Sequence, residues 1–175
     1  MYRLRQVLLV TSSLGLLAGC GAAHSPRAAP PGASPALAAA ADSVSAHGAA
    51  EGFLAAFDSL QWEEFRSYLA DDMTMFFPFP QLPSRVDGRQ AVENVFREFM
   101  ESQRTRRAQA GQPMVQGLPV RDLRVQMAGP DVAIVSFHLG SETPSRRSVV
   151  FHRDTAGAWK VVHWHASPAP RPSGG

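Results

Sequence analysis

Cysteine is almost absent from this sequence, because Cys20 is the single cysteine among 175 residues. A lone cysteine cannot form a disulfide within the chain, so a folded domain must be held together by its apolar core. A permanent membrane-spanning helix is not indicated either. The apolar stretch from Val7 to Ala18 falls short of the roughly 20 residues that such a helix needs. The length suits one domain.

Excess charge is also lacking. The chain has 17 Lys and Arg against 15 Asp and Glu, but Arg3 and Arg5 would leave with an export signal, so the remainder is balanced. The one dense basic cluster, around Arg106, suits the end of a helix, where the dipole favours cations. We therefore expect no nucleic-acid partner.

The common catalytic and phosphate-binding motifs are missing. The sequence contains no Gly-rich phosphate loop, no Gly-x-Ser-x-Gly and no His-Glu-x-x-His. Asp71 and Asp72 are adjacent and so point in different directions, which favours capping or a turn at a helix end over a paired acid and base. No cofactor is predicted.

The first residues have the three zones of an export signal: basic residues, an apolar stretch and small residues at a cleavage site. Leu17-Ala18-Gly19-Cys20 resembles the lipobox of bacterial lipoproteins, which implies a signal peptide over 1–19 and lipidation of Cys20. Several acyl chains together anchor a protein stably, since each buried methylene contributes about 0.8 kcal/mol. We therefore predict a lipid-anchored protein of the cell envelope, on the periplasmic side or at the outer membrane, with the choice of membrane left open.

Composition divides the rest of the chain. Residues 20–42 are rich in Ala, Pro, Gly and Ser and predict a disordered tether, and the proline-rich residues 168–175 predict a disordered tail. Between them, residues 43–167 have the patterns of two helices, a strand, a third helix capped by Asp87, a loop over 104–117 and a series of strands. Helices followed by antiparallel strands predict an α+β domain.

This order of elements is similar to the SnoaL-like and nuclear-transport-factor-2-like (NTF2-like, cone) superfamily. The local marks are Tyr68-Leu69-Ala70-Asp71-Asp72, Asp87-Gly88-Arg89-Gln90-Ala91-Val92, and the run from Trp159 to Ser167. The resemblance implies a cone-shaped, curved antiparallel sheet with three N-terminal helices packed on its concave face. It also implies an apolar cavity open at one end and a homodimer formed through the outer sheet face.

The superfamily includes ketosteroid isomerases, so the residues at their catalytic positions can be compared with this sequence. The aspartate base of those enzymes falls on Phe77, the oxyanion tyrosine on Phe53 and the second acid near Phe151. A phenyl ring can neither accept a proton nor stabilise an oxyanion, so isomerase chemistry is not expected.

The same aromatic positions predict an apolar ligand pocket on the concave face, with an ordinary packed core as the alternative. The predicted pocket residues are Phe53, Phe77, Phe137, Phe151, Val162 and Trp164.

Four histidines are predicted to share the other sheet face. Folding the last hairpin about residues 154–157 places Phe151 opposite Lys160 and groups His152 with His163, His165 and His138. Neighbours two apart on a strand are about 6.6 Å apart, which is loose for one zinc ion, so no metal site is predicted. A subunit interface is favoured instead, with Trp159 and Val161 packing against a partner.

Three hypotheses remain. The first is an envelope lipoprotein whose domain binds a small apolar ligand or a partner, with no defined activity. The second is a hydrolase, cyclase or dehydratase that uses His163 or His165 as base in the same pocket. The third is a structural dimerisation module. Whether the protein is an enzyme stays open at this level.

Overall fold

The computed structural model describes residues 34–77, 85–141 and 144–168. The predicted signal peptide, Cys20, the first part of the tether and residues 169–175 lie outside the described residues. The described chain forms three helices and six strands: α1 (Pro35–Asp58), α2 (Trp62–Ser67), β1 (Leu69–Phe76), β2 (Val86–Asp87), α3 (Arg89–Gln109), β3 (Val120–Gly129), β4 (Val132–Leu139), β5 (Ser145–Arg153) and β6 (Trp159–Pro168).

The six strands form one sheet in the order β2-β1-β6-β5-β4-β3. Only β1 and β6 pair in parallel among these neighbours, and the others are antiparallel. The sheet is curved and unclosed, and the helices share one buried core with its inner face. This architecture confirms the predicted α+β cone class.

Helix α1 begins earlier than predicted. The hydroxyl of Ser34 accepts a hydrogen bond from the backbone N–H of Leu37, and Pro35 occupies the first turn, where its missing N–H costs nothing. The alanines of this segment gave no apolar stripe and so did not indicate a helix, but alanine has the highest helix propensity of all residues. Asp42 also pairs with Arg153 at 2.7 Å, which ties this first part of the helix to the sheet. The prediction of disorder is therefore wrong for residues 35–42.

Helix α3 differs from its prediction at both ends. Its N-cap is Gly88, at a φ of 84° that a side chain would strain, while the predicted cap Asp87 binds Arg85 instead. At the other end the helix continues to Gln109, so the first part of the predicted 104–117 loop is helical. Arginine, alanine and glutamine are good helix formers, and Arg107 Nη2 donates to the carbonyl of Gln116 at 2.7 Å.

Strand β1 begins at Leu69, so Asp71 and Asp72 lie within a strand and the predicted helix-end role is wrong. The strand bulges there. Leu69 pairs with Val161 and Thr74 with His163, so five steps along β1 match two along β6. This irregular stretch displaces the two aspartates toward solvent, and Asp71 pairs with Arg89 at 3.3 Å.

A second bulge decides which residues of β6 face the core. Val150 pairs with His163 and the next residue, Phe151, pairs with Val161, so Val162 is an extra residue in β6. Because side chains alternate along a strand, one extra residue reverses the alternation beyond it. Trp159 and Val161 are therefore buried on the same inner face as Trp164 and Ala166. The predicted pairing of Phe151 with Lys160 is wrong, as is the exposure of Trp159 and Val161.

Candidate ligand pocket

A cavity of about 620 Å³ opens between α3 and the inner face of the sheet. Its size lies within the range typical of small-molecule sites. Most of its lining is apolar, from Phe57, Met75, Phe77, Val95, Phe96, Phe99, Leu118, Leu139 and Trp164; the remaining lining residues are Glu98, Ser102, Gln103, Arg107, Gln116 and Arg147. The cavity suits the body of an apolar molecule.

The predicted pocket residues separate into three groups. Phe77 and Trp164 line the cavity. Phe53, Phe137 and Phe151 are buried in the core on the same side of the sheet but are not among the lining residues. Val162 is the extra residue of the bulge and lines a concavity on the outer face, so its assignment to the pocket is wrong. The predicted aromatic residues are thus divided between the core and the cavity lining, and binding of a ligand there stays a prediction.

The core beneath the cavity is a connected group of aromatic rings. Phe53 lies 5.7 Å from Phe151 and 5.2 Å from Trp164 between ring centroids, and Trp164 stacks on Phe96 at 5.1 Å. Such pairs stabilise beyond the area they bury. The floor of the cavity is therefore formed by rigidly packed rings.

One cation in the cavity was missed by the sequence analysis. Arg147 lies on β5 between the inward-facing positions of Ser145 and Val149, and its Cα pairs with those of Phe137 and Ala166 on the neighbouring strands. Burial lowers the pKa of its guanidinium to about 10. The signal available in the sequence was its parity with Val149 and Phe151, which places a charged residue at an inward position.

Three donor atoms around the cavity are buried without a hydrogen-bond partner among the described residues. They are Nε of Arg107, Nε of Arg147 and Nε1 of Trp164. Arg107 uses its other nitrogens to donate to the carbonyls of Pro113 and Gln116, at 3.3 and 2.7 Å. Buried polar groups are nearly always hydrogen-bonded, so these three atoms are exceptions, and all three belong to residues that line the cavity.

The histidines lie on the opposite, outer face of the sheet. Thr74 Oγ1 and His163 Nδ1 are 2.7 Å apart, and the Phe76 ring lies 5.7 Å from the ring of His163 and 5.6 Å from that of His165. Burial, followed by the charges of His165 and Arg85, lowers the pKa of His163. Neither histidine lines the cavity, so the hypothesis that one of them is a base in that pocket is wrong.

The outer face also carries His138 and His152, as predicted from alternation. His138 pairs with Asp122 at 3.0 Å, while His152 lies opposite Lys160. Within the part of the chain that the structure describes, no group of three or more His, Cys, Asp or Glu is arranged to hold a metal ion.

A second concavity, of about 580 Å³, lies on this outer face beside the β1 bulge. Its polar lining is Asp71, Asp72, Arg89, His152, Asp154 and Lys160. Arg89 and Asp71 already pair with each other, and Lys160 donates to the backbone carbonyl of Ser67 at 2.7 Å. Asp154 in turn accepts hydrogen bonds from the backbone N–H groups of Ala156 and Ala158, so several of these polar groups are already engaged within the described structure.

The sequence was compared with known protein families and with curated proteins. The family model described as a SnoaL-like domain matches residues 48–172. A comparison with curated protein sequences found no match. Within the described helices, none is both long and apolar enough to cross a membrane.

Solved structures share the fold at low sequence identity. An NTF2-like family protein from Streptomyces avermitilis, provisionally described as a dehydratase, is 19% identical with a TM-score of 0.60, over 76% of this chain and 99% of the other. An NTF2-like protein of unknown function from Pseudomonas putida is 21% identical with a TM-score of 0.59, over 77% and 90%. The CaMKII hub of S. rosetta is 23% identical with a TM-score of 0.51, over 73% and 96%. At these identities the likeness shows the fold alone.

Proposed function

The chain belongs to the SnoaL-like domain family, and because that family fixes a fold and not an activity, we propose that its domain binds a small, largely apolar molecule in the cavity beneath α3. The observation that carries the proposal is the cavity itself, of about 620 Å³ and lined mainly by aromatic and aliphatic side chains. Apolar concavities of this size with a few polar groups are the usual form of small-molecule sites.

The lining favours binding over catalysis. Among the described lining residues Glu98 is the one carboxylate, and it is exposed on α3. A general base must reach the proton that it removes, and the resemblance to the isomerases sets their catalytic groups at Phe53, at Phe77 and near Phe151 of this chain. The described part of the lining is therefore a largely apolar surface in which no acid and base are paired.

Filling the cavity tests the proposal. Replacing Ser102 with tryptophan places an indole over the preceding turn of α3, where Glu98 and Phe99 line the cavity. We expect this change to weaken binding of the neutral fluorescent probe N-phenyl-1-naphthylamine by about tenfold or more, because the indole occupies space that the probe needs. The measurement is a fluorescence titration of residues 21–175, which contain the compact unit Ala33–Gly175.

The matched control is Glu101→Trp. Glu101 is the adjacent, equally exposed residue of α3 and does not line the cavity. It adds the same indole to the same helix, so its probe affinity should stay at the wild-type value. Equal affinities for both variants, or no probe binding by the wild-type chain, would contradict the proposal.

We further propose that the domain is displayed at the cell envelope through lipidated Cys20. The support is the sequence: the three zones of an export signal end in Leu17-Ala18-Gly19-Cys20. In the sequence, residues 21–34 separate Cys20 from the start of α1 at Pro35. The homodimer stays a prediction.

Replacing Cys20 with alanine should move the protein from the membrane fraction to the soluble fraction, because the acyl chains are the proposed anchor. The measurement is metabolic labelling with palmitate in a bacterial host, followed by fractionation and blotting. Labelled wild-type protein and unlabelled variant are the expected pair. Retention of the label by the variant would exclude this cysteine as the acylated residue.

A further inference from the structure

The cavity lining also includes charged side chains, which a purely apolar ligand would leave without a partner. Arg147 lines it from the sheet, and no ion pair joins its guanidinium to a carboxylate among the described residues. A buried cation without a counter-charge costs free energy, because the protein interior does not replace the water that it lost. If this position only supported the fold, an apolar side chain would give a more stable domain than arginine.

Two further residues that line the cavity also have a buried donor atom without a partner in the described structure. Arg107 Nε and Trp164 Nε1 are buried without partners among the described residues, and both residues line this cavity. Arg and Trp side chains only donate hydrogen bonds, so none of these groups can satisfy another. The side-chain amide nitrogen of Gln116 already donates to the carbonyl of Phe57. The described lining thus carries two cations, Arg107 and Arg147, against one carboxylate, Glu98, which is exposed on α3.

An oxyanion would supply the counter-charge that the guanidinium of Arg147 lacks among the described residues. A carboxylate, sulfonate or phosphate accepts several hydrogen bonds, and a guanidinium matches its planar pairs of oxygens. The remainder of the lining is apolar and aromatic, so the anion must be carried on an apolar body. A small inorganic anion would leave the aromatic lining without a partner.

We propose that the cavity binds an amphipathic acid, with its oxyanion on Arg147 and its apolar body against the aromatic side chains of α1 and α3. The inference rests on the proposed function, because it names the class of ligand for the same cavity. Burial strengthens the charge-assisted bond that Arg147 makes, and the ligand in turn removes the penalty of the unpaired cation.

Two fluorescent probes test the inference, because they differ in one group. The first is 8-anilinonaphthalene-1-sulfonate and the second is N-phenyl-1-naphthylamine, which has the same rings without the sulfonate. Each is titrated into residues 21–175 and into the variant Arg147→Met, which keeps an unbranched apolar side chain but removes the charge. We expect the variant to bind the sulfonate about tenfold to a hundredfold more weakly. Its affinity for the neutral probe should stay within about twofold.

The matched control is Arg146→Met. Arg146 is the preceding residue of β5 and is exposed on the outer face, where it donates to the carbonyl of Pro168. The control removes the same charge from the same strand without entering the cavity, so both probes should bind it as they bind the wild-type chain. A third variant, Arg147→Lys, keeps the charge and should retain part of the preference for the sulfonate.

The outcomes are distinct. If Arg147→Met leaves sulfonate binding unchanged, or weakens both probes alike, Arg147 is not an anion site and ordered water satisfies its donors. If Arg146→Met weakens the sulfonate as much as Arg147→Met, the effect is one of surface charge and the inference is also overturned. If neither probe binds the wild-type chain, the proposed pocket fails together with the inference. Binding of the neutral probe by Arg147→Met shows that the variant is folded.

Discussion

Replacing Phe65 with alanine is expected to lower the free energy of unfolding by about 3 to 5 kcal/mol, a large part of what a domain of this size has. Phe65 is 0% exposed. Its ring lies 4.9 Å from that of Phe96, 5.3 Å from that of Phe53 and 5.8 Å from that of Phe57. The change removes a ring that joins three helices.

The position of Phe65 explains why the loss should be near the top of this range. Helix α2 has six residues, and Phe65 is the one buried residue in it. So short a helix has no stability of its own and depends on tertiary packing. The cavity left by the ring would lie between α1, α3 and Trp164, whose ring centroid is 6.4 Å away. Rings already packed together cannot close it without moving helices.

Urea unfolding followed by circular dichroism measures the effect. The matched control is Phe76→Ala, since Phe76 is 37% exposed on the outer face of β1 and its loss should cost less than about 1 kcal/mol. Similar losses for the two variants would show that Phe65 does not hold α2 in place. The urea concentration at the unfolding midpoint should fall while the dependence of the free energy on urea stays the same, because only then does the shift measure stability.

The second large effect is expected at Glu93, the one buried charged residue identified in the described core. Its carboxylate accepts a hydrogen bond from Arg89 Nε at 2.7 Å and lies 3.5 Å from Arg66 Nε and 3.8 Å from Arg97 Nη2. Replacing Glu93 with glutamine keeps the shape but removes the charge. Three guanidinium groups then converge on a neutral amide, and we expect a loss of about 3 kcal/mol.

The buried position distinguishes this carboxylate from surface ion pairs. Glu101→Gln removes the same charge from an exposed position of α3 and should change the free energy of unfolding by less than about 0.5 kcal/mol. Urea midpoints measure both variants. A loss of similar size in Glu101→Gln would attribute the effect to net charge.

Much of the element order followed from local patterns. The turn at residues 154–157 predicted the last hairpin, and the structure contains it as β5 and β6. Phe53, Leu54 and Phe57 stand at helical spacing in the sequence, and all three are buried in α1. These features depend on neighbours within a few residues, which is why the sequence carries them directly.

Helix ends were harder to predict than helices. The alanines before Asp42 have no apolar stripe, so composition indicated a tether, although their helix propensity is the highest of any residue. Contacts far along the chain decided the outcome: Asp42 with Arg153, and Ser45 with the indole of Trp159. Local composition cannot report a partner more than a hundred residues away.

By itself, the sequence determined the family, the α+β class, the aromatic content of the core and the positions of most strands, because periodicity and residue type are local properties. Only the tertiary structure decided which of those residues meet. A single extra residue, Val162, reversed the alternation in β6, moved Trp159 and Val161 into the core and placed Val162 outside it. Arg147 entered the cavity with no carboxylate to meet it among the described residues. Register and counter-charge are relations between distant segments, and a bulge changes them without any signal in the alternation that it interrupts.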